Sequence, residues 1–97
     1  MRGADIIAKK LADAGSRKAF GIPGGEVLTF LDALRAAAID FVLVKHENAG
    51  GFMAEGAWHA TGAPAVLVAT IGPGVANAVN VVANAMQDRV PLIFVTG

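Results

Sequence analysis

The chain contains no cysteine, so neither a disulfide framework nor a thiolate metal site can be part of it. Charge is scarce as well. Only 16% of the residues are Asp, Glu, Lys or Arg, against about a quarter in ordinary soluble domains. That deficit predicts a surface covered in large part by other protein. Neither sign prevails, since eight acidic side chains balance eight basic ones. A neutral chain has nothing to attract nucleic acid or an anionic membrane. No apolar run approaches the roughly 20 residues of a membrane span. The start, Met1-Arg2-Gly3-Ala4-Asp5, lacks the apolar stretch of a secretory leader. The cytoplasm is the expected setting. Internal repeats, linkers and low-complexity tracts are also missing.

What the chain does have is apolar residues in two alternating rhythms. Ninety-seven residues, 55% of them hydrophobic, suffice for the core of one domain or part of one. Helical spacing predicts helices over 3–14, 25–37, 48–60 and 74–87, with Gly15 ending the first. Short apolar runs predict strands at 18–21, 41–44, 65–69 and 92–95. The run Phe41-Val42-Leu43-Val44 is expected to be buried on both faces, as in a parallel sheet. Helix and strand alternate with connections of a few residues. The expected fold is therefore α/β, a parallel sheet of about four strands with helices on both faces. Only Thr96-Gly97 follows the last apolar run. A long exposed apolar edge is something natural domains avoid, so residues 1–97 are expected to be the amino-terminal part of something longer.

Parallel strands place their following loops on one edge. Those loops are Gly21-Ile22-Pro23-Gly24-Gly25, His46-Glu47 and Thr70-Ile71-Gly72-Pro73-Gly74. Glycines let a flat ligand come close to the backbone, and prolines fix a loop's shape. Glu47 is the acid most clearly placed on this edge, where open α/β sheets bind their ligands. Glu26 and Glu55 fall within or beside helices. Glu47 also fits a first-turn residue favoured by the helix dipole, and Pro23 and Pro73 fit helix-start prolines. His46 reads as a packing or hydrogen-bonding residue rather than a catalyst. Phe52, Met53 and Trp58 read as core or interface residues, and Asp88-Arg89 as a surface turn. The segment Gly72-Pro73-Gly74-Val75-Ala76-Asn77 is a degenerate dinucleotide fingerprint. Asn77 replaces its third glycine, Pro73 removes a needed N–H, and it lies in the third βα unit rather than the first.

Four segments together resemble the amino-terminal, pyrimidine-binding domain of thiamine-diphosphate-dependent enzymes, the acetolactate synthase group above all. They are Phe20-Gly21-Ile22-Pro23-Gly24-Gly25, Lys45-His46-Glu47-Asn48-Ala49, Met53-Ala54-Glu55-Gly56 and Gly72-Pro73-Gly74-Val75-Ala76-Asn77. Pro91 to Gly97 resembles the family's next strand. The resemblance implies a flavodoxin-like pyrimidine domain, incomplete over residues 1–97. It implies that Glu47 hydrogen-bonds N1′ of the aminopyrimidine and so promotes loss of the C2 proton from the thiazolium. Pro23, Gly24, Thr70, Pro73 and Asn77 match positions lining the pyrimidine pocket. The activity implied is that of a 2-oxo-acid carboligase or lyase, with thiamine diphosphate and Mg2+. The motif holding the metal and diphosphate belongs to another domain, so no metal ligand is expected here. The family also implies a homo-oligomer, at least a dimer, because its pocket forms between two subunits. Gly25 stands where many decarboxylases of the family carry an acid, which leans towards a synthase. Asn48 and Ile71 stand where synthases usually have Gln and a small polar residue. The alternative reading is a non-catalytic oligomerisation or ligand-binding module of the same fold.

Overall fold

A computed structural model describes residues 1–97. Its elements follow the order α1 (Gly3–Asp13), β1 (Lys18–Gly21), a 3-10 turn (Gly25–Val27), α2 (Leu28–Ala36), β2 (Asp40–Leu43), α3 (Glu47–Thr61), β3 (Ala65–Ala69), α4 (Pro73–Asn77), α5 (Val79–Asp88) and β4 (Leu92–Thr96). The four strands form one parallel sheet in the order β2-β1-β3-β4. The chain thus winds outward from β1 to β2, then crosses back to β3 on the other side of β1. That reversal is the switch point at which flavodoxin-like sheets open a ligand crevice.

Strand periodicity distributes the core. Ala19, Val66 and Val68 face one side, packed with Ala8 and Leu11 of α1 and Phe30, Ala33 and Leu34 of α2. The intervening Phe20, Ala65 and Leu67 face the other side, against Ala54 of α3 and Ala85 and Val81 of α5. Helices therefore cover both faces, as the sequence leads one to expect. β3 is buried at every residue, because it lies inside the sheet and is covered above and below.

Helix ends follow local chemistry. Gly15 takes φ 100° after α1, and the N–H groups of Ser16 and Gly15 reach back to the carbonyls of Leu11 and Ala12. This paired closure satisfies carbonyls that the helix leaves free. Ala38, at φ 62°, does the same for α2 without glycine's freedom. Arg2 ties α1 to α2 through Asp5 at 2.8 Å and Asp32 at 3.0 Å. Hydrogen bonds from Arg2 hold the Asp5 carboxyl down at about 2 and the Asp32 carboxyl below its usual range. Arg2 and Asp32 are exposed and Asp5 is only partly buried, so these ties contribute little to stability.

Three sequence expectations need correction, and a fourth is narrowed. β2 is an edge strand, and Leu43 is 68% exposed; its apolar run is not buried on both faces. Phe52 and Met53, read as core or interface residues, are 43% and 46% exposed, which leaves only the interface role of the two. Pro23 precedes Gly24, which caps the 3-10 turn, and does not start a helix. The single helix expected over 74–87 is broken at Ala78 into α4 and α5. Asn48 explains the break. Its Oδ1 accepts from the Val81 N–H at 2.8 Å, taking the donor that a continuous helix would direct to residue 77. Val79, Asn80, Val81 and Val82 are weak helix formers that do not resist the interruption. No helix is long and apolar enough to cross a membrane.

Candidate functional site

Glu47 is the first residue of α3, and the strand before it and the helix after it hold its backbone from both sides. His46 caps the helix, its Nδ1 accepting from the Asn48 N–H at 3.1 Å. This is the hydrogen-bonding role read for His46 from the sequence. Glu47 occupies the first turn of α3, the helix-start position that the sequence also allowed for it.

The Glu47 side chain is buried, with only 6% of the residue exposed. Its Oε1 accepts from Asn77 Nδ2 at 3.1 Å. Its Oε2 has no partner within the chain, yet no side-chain oxygen or nitrogen is both buried and unpartnered. Oε2 therefore keeps a small opening to solvent. Gly74 lies directly beside it: a Cβ there would come within 3.3 Å of Oε2 and 2.9 Å of Thr70 Oγ1. The arrangement is a carboxylate with one oxygen fixed by an amide and the other free, next to bare backbone. Such an oxygen can accept a hydrogen bond from a ligand's N–H or hold a proton for it. Burial strengthens that bond, because little water competes for it.

The loops after β1 and β3 meet at the switch point. A Cβ on Gly24 would fall 2.0 Å from Thr70 Cγ2, so the two loops touch only because residue 24 has no side chain. Gly72 adopts φ 74°, ψ −118°, a conformation open to glycine and little else. It turns the chain so that Pro73 can start α4 as its first residue. α4 then delivers Asn77 to Glu47.

The structure thus joins Glu47, Asn77 and Thr70 around Gly74, and sets Gly24 against Thr70. Pro23 and Pro73 lie on the same sheet edge, both exposed. Sequence reasoning missed three other polar ties. Glu26 Oε1 accepts from the Ile71 N–H at 2.8 Å. Asn48 links α3 to α5 through Val81 and Asn80. Buried Glu55 accepts from Asn84 Nδ2 at 2.9 and 3.0 Å. Glu26 adjoins the first glycine loop, so its place on the edge was readable, but its partner lies 45 residues away.

None of the chain's four concavities is lined by Glu47; the largest, about 540 Å3, lies between α1 and α2. The carboxyl edge is an open ledge. The chain also contains no cluster of three His, Asp or Glu side chains that could hold a metal.

The sequence model of one family, described as thiamine pyrophosphate enzyme, N-terminal TPP binding domain, matches residues 1–97. The chain is 43% identical over 98 residues to the acetolactate synthase isozyme 3 large subunit of Escherichia coli K12, matching along its full length. It is 42% identical over 97 residues to acetolactate synthase 3, chloroplastic, of Brassica napus, with 99% of the chain covered. It is 43% identical over 96 residues to the acetolactate synthase of Mycobacterium avium, with 98% covered. The chain spans 17%, 15% and 16% of these relatives' own lengths.

Proposed function

The chain belongs to the family of thiamine pyrophosphate enzyme N-terminal, TPP-binding domains, and from that membership we propose that it supplies the cofactor-activating half of a 2-oxo-acid carboligase or lyase of the acetolactate synthase kind. The free Oε2 of Glu47 beside Gly74 is the observation that carries this reading. The donor set fits an aminopyrimidine. A carboxylate oxygen is available to a ring nitrogen, and side-chain-free backbone lies beside it.

Glu47 would hold the ring through Oε2 and move a proton at that oxygen. Asn77 fixes the carboxylate through Oε1, so that Oε2 keeps one direction. Thr70 and Gly24 set the neighbouring loops, with Pro23 and Pro73 shaping their outer faces. When bound, thiamine diphosphate would supply the carbon-nucleophile chemistry for a 2-oxo acid, with Glu47 and Asn77 holding its ring. Water that would compete for the Glu47 proton would be excluded only once a second surface closes the ledge.

Residues 1–97 are read as the amino-terminal part of the pyrimidine-binding domain. The diphosphate and Mg2+ would be held elsewhere on a longer polypeptide, a reading supported by the relatives' lengths, of which the chain spans 17% in the first. The test compares two titrations with thiamine diphosphate and Mg2+. The isolated chain should bind no tighter than about 1 mM, roughly 4 kcal/mol, whereas the whole polypeptide carrying it should bind far more tightly. Micromolar, Mg2+-dependent binding by the isolated chain would overturn the half-site. No binding by the whole polypeptide would overturn the cofactor assignment.

Association is part of the same proposal. An open ledge becomes a pocket only when another surface closes it. Phe52 and Met53 on α3, with Val79 and Met86 on the adjacent α5, leave apolar surface uncovered. β4 adds an outer edge with unpaired N–H and C=O groups. Sedimentation should show dimers or larger assemblies at micromolar concentration. Salt should change them little, since apolar contact rather than charge drives them. A monodisperse monomer at about 100 µM, enough to populate any micromolar interface, would refute self-association.

A further inference from the structure

We propose that Glu26 is a positioning residue: it clamps the loop after β3 onto the loop after β1 and so holds Thr70 and Gly74 beside the free oxygen of Glu47. Its functional consequence rests on the cofactor reading above.

The clamp is built from contacts at the switch point. Glu26 sits in the 3-10 turn following the first glycine loop. Its Oε1 accepts from the Ile71 N–H at 2.8 Å, a short bond to an ionisable acceptor, stronger than a neutral one. Ile71 is 59% exposed, so apolar packing does little to hold this residue. The residues on either side of it are Thr70 and the left-handed Gly72. Glu26 itself is restrained. A Cβ on Gly97, just past β4, would fall 1.9 Å from Glu26 Cγ, so the backbone there lies against its stem. One side chain thus joins the carboxyl ends of β1, β3 and β4.

From Ile71 the contacts run to the site without a gap. Thr70 packs on Gly24, and Thr70 Oγ1 lies against Gly74. Gly74 in turn borders Glu47 Oε2. Releasing Ile71 frees the glycine-rich segment 70–74 to move relative to Glu47, whose own position is set by α3 and Asn77. Reactive geometry is sensitive to such displacements, since a misplacement of about 1 Å can cost on the order of 100-fold in rate.

Amide hydrogen exchange in the cofactor-free protein tests the clamp. Glu26→Ala should speed exchange at Ile71 by about 10-fold or more, the loss expected for a hydrogen bond to a charged group. Exchange at Leu67, inside β3, should not change, which separates local release from general loosening. Glu26→Gln keeps an accepting oxygen and should recover most of the protection. In the whole polypeptide, C2 hydrogen–deuterium exchange of bound thiamine diphosphate should fall about 10-fold in Glu26→Ala and return in Glu26→Gln. Unchanged Ile71 exchange in Glu26→Ala overturns the clamp. Faster Ile71 exchange with wild-type C2 exchange overturns the positioning role. If the whole polypeptide binds no cofactor, the reading of function fails, and Ile71 exchange still decides the clamp.

Discussion

In the whole polypeptide, Glu47→Gln should slow C2 hydrogen–deuterium exchange of bound thiamine diphosphate by about 100- to 10,000-fold, the range lost with a general acid–base group. In transition-state terms this is about 2.7 to 5.5 kcal/mol. The substitution is informative because it changes so little else. Glutamine has the same length, and its carbonyl can still accept from Asn77 Nδ2 in place of Oε1. Its amide nitrogen then stands where Oε2 was and offers a donor instead of a basic oxygen. The glycine beside it remains, so the ledge keeps its shape and cofactor affinity should fall far less than the exchange rate. Asn77→Ala should act in the same direction but more weakly, since it loosens the carboxylate without removing it. A wild-type exchange rate in Glu47→Gln would remove Glu47 from its proposed role.

Gly21→Ala should destabilise the fold by about 3 kcal/mol or more, the upper end of the range for overpacking. Gly21 ends β1 and pairs with Leu43 on one side and Val68 on the other. A Cβ there would lie 1.9 Å from the Val68 carbonyl oxygen and 2.8 Å from its carbon. Both are backbone atoms of the central strand and cannot rotate aside, so β1 and β3 would have to separate. A small domain has only about 5 to 15 kcal/mol of stability in all. With a urea dependence of about 1 to 3 kcal/mol per molar, the unfolding midpoint should fall by about 1 M or more. Gly56→Ala is the control. It is a helical site with nothing within 4 Å of the added carbon, where alanine should stabilise by about 0.5 to 1 kcal/mol. An unchanged midpoint in Gly21→Ala would mean that β1 and β3 do not approach as described.

The central β3 was legible because it is apolar at every residue, Ala65 to Ala69, and only a strand covered on both faces needs that pattern. The same inference failed for Phe41 to Val44. An edge strand of equal hydropathy cannot be told from an inner one until strand order is known. The broken helix failed for a related reason. Val75, Val79, Val82 and Met86 keep helical spacing across Ala78, and the competitor that interrupts them, Asn48, lies 33 residues before Val81. Glu47 was found because its signal is local: an acid between an apolar strand and an apolar helix.

By itself the sequence determined the class of the fold, the loops that share one edge and the acid among them. These follow from periodicity and from glycine, proline and carboxylate positions within a few residues of one another. Family membership also came from the sequence, through motifs in collinear order. Tertiary structure alone decided which strands lie at the edges, which carboxylate oxygen is free and which loop each acid restrains. Glu47 Oε1 meets Asn77 across 30 residues and Glu26 meets Ile71 across 45. Contacts of that separation form only when the sheet order 2-1-3-4 brings the ends of β1 and β3 together, and residue spacing along the chain does not encode that order.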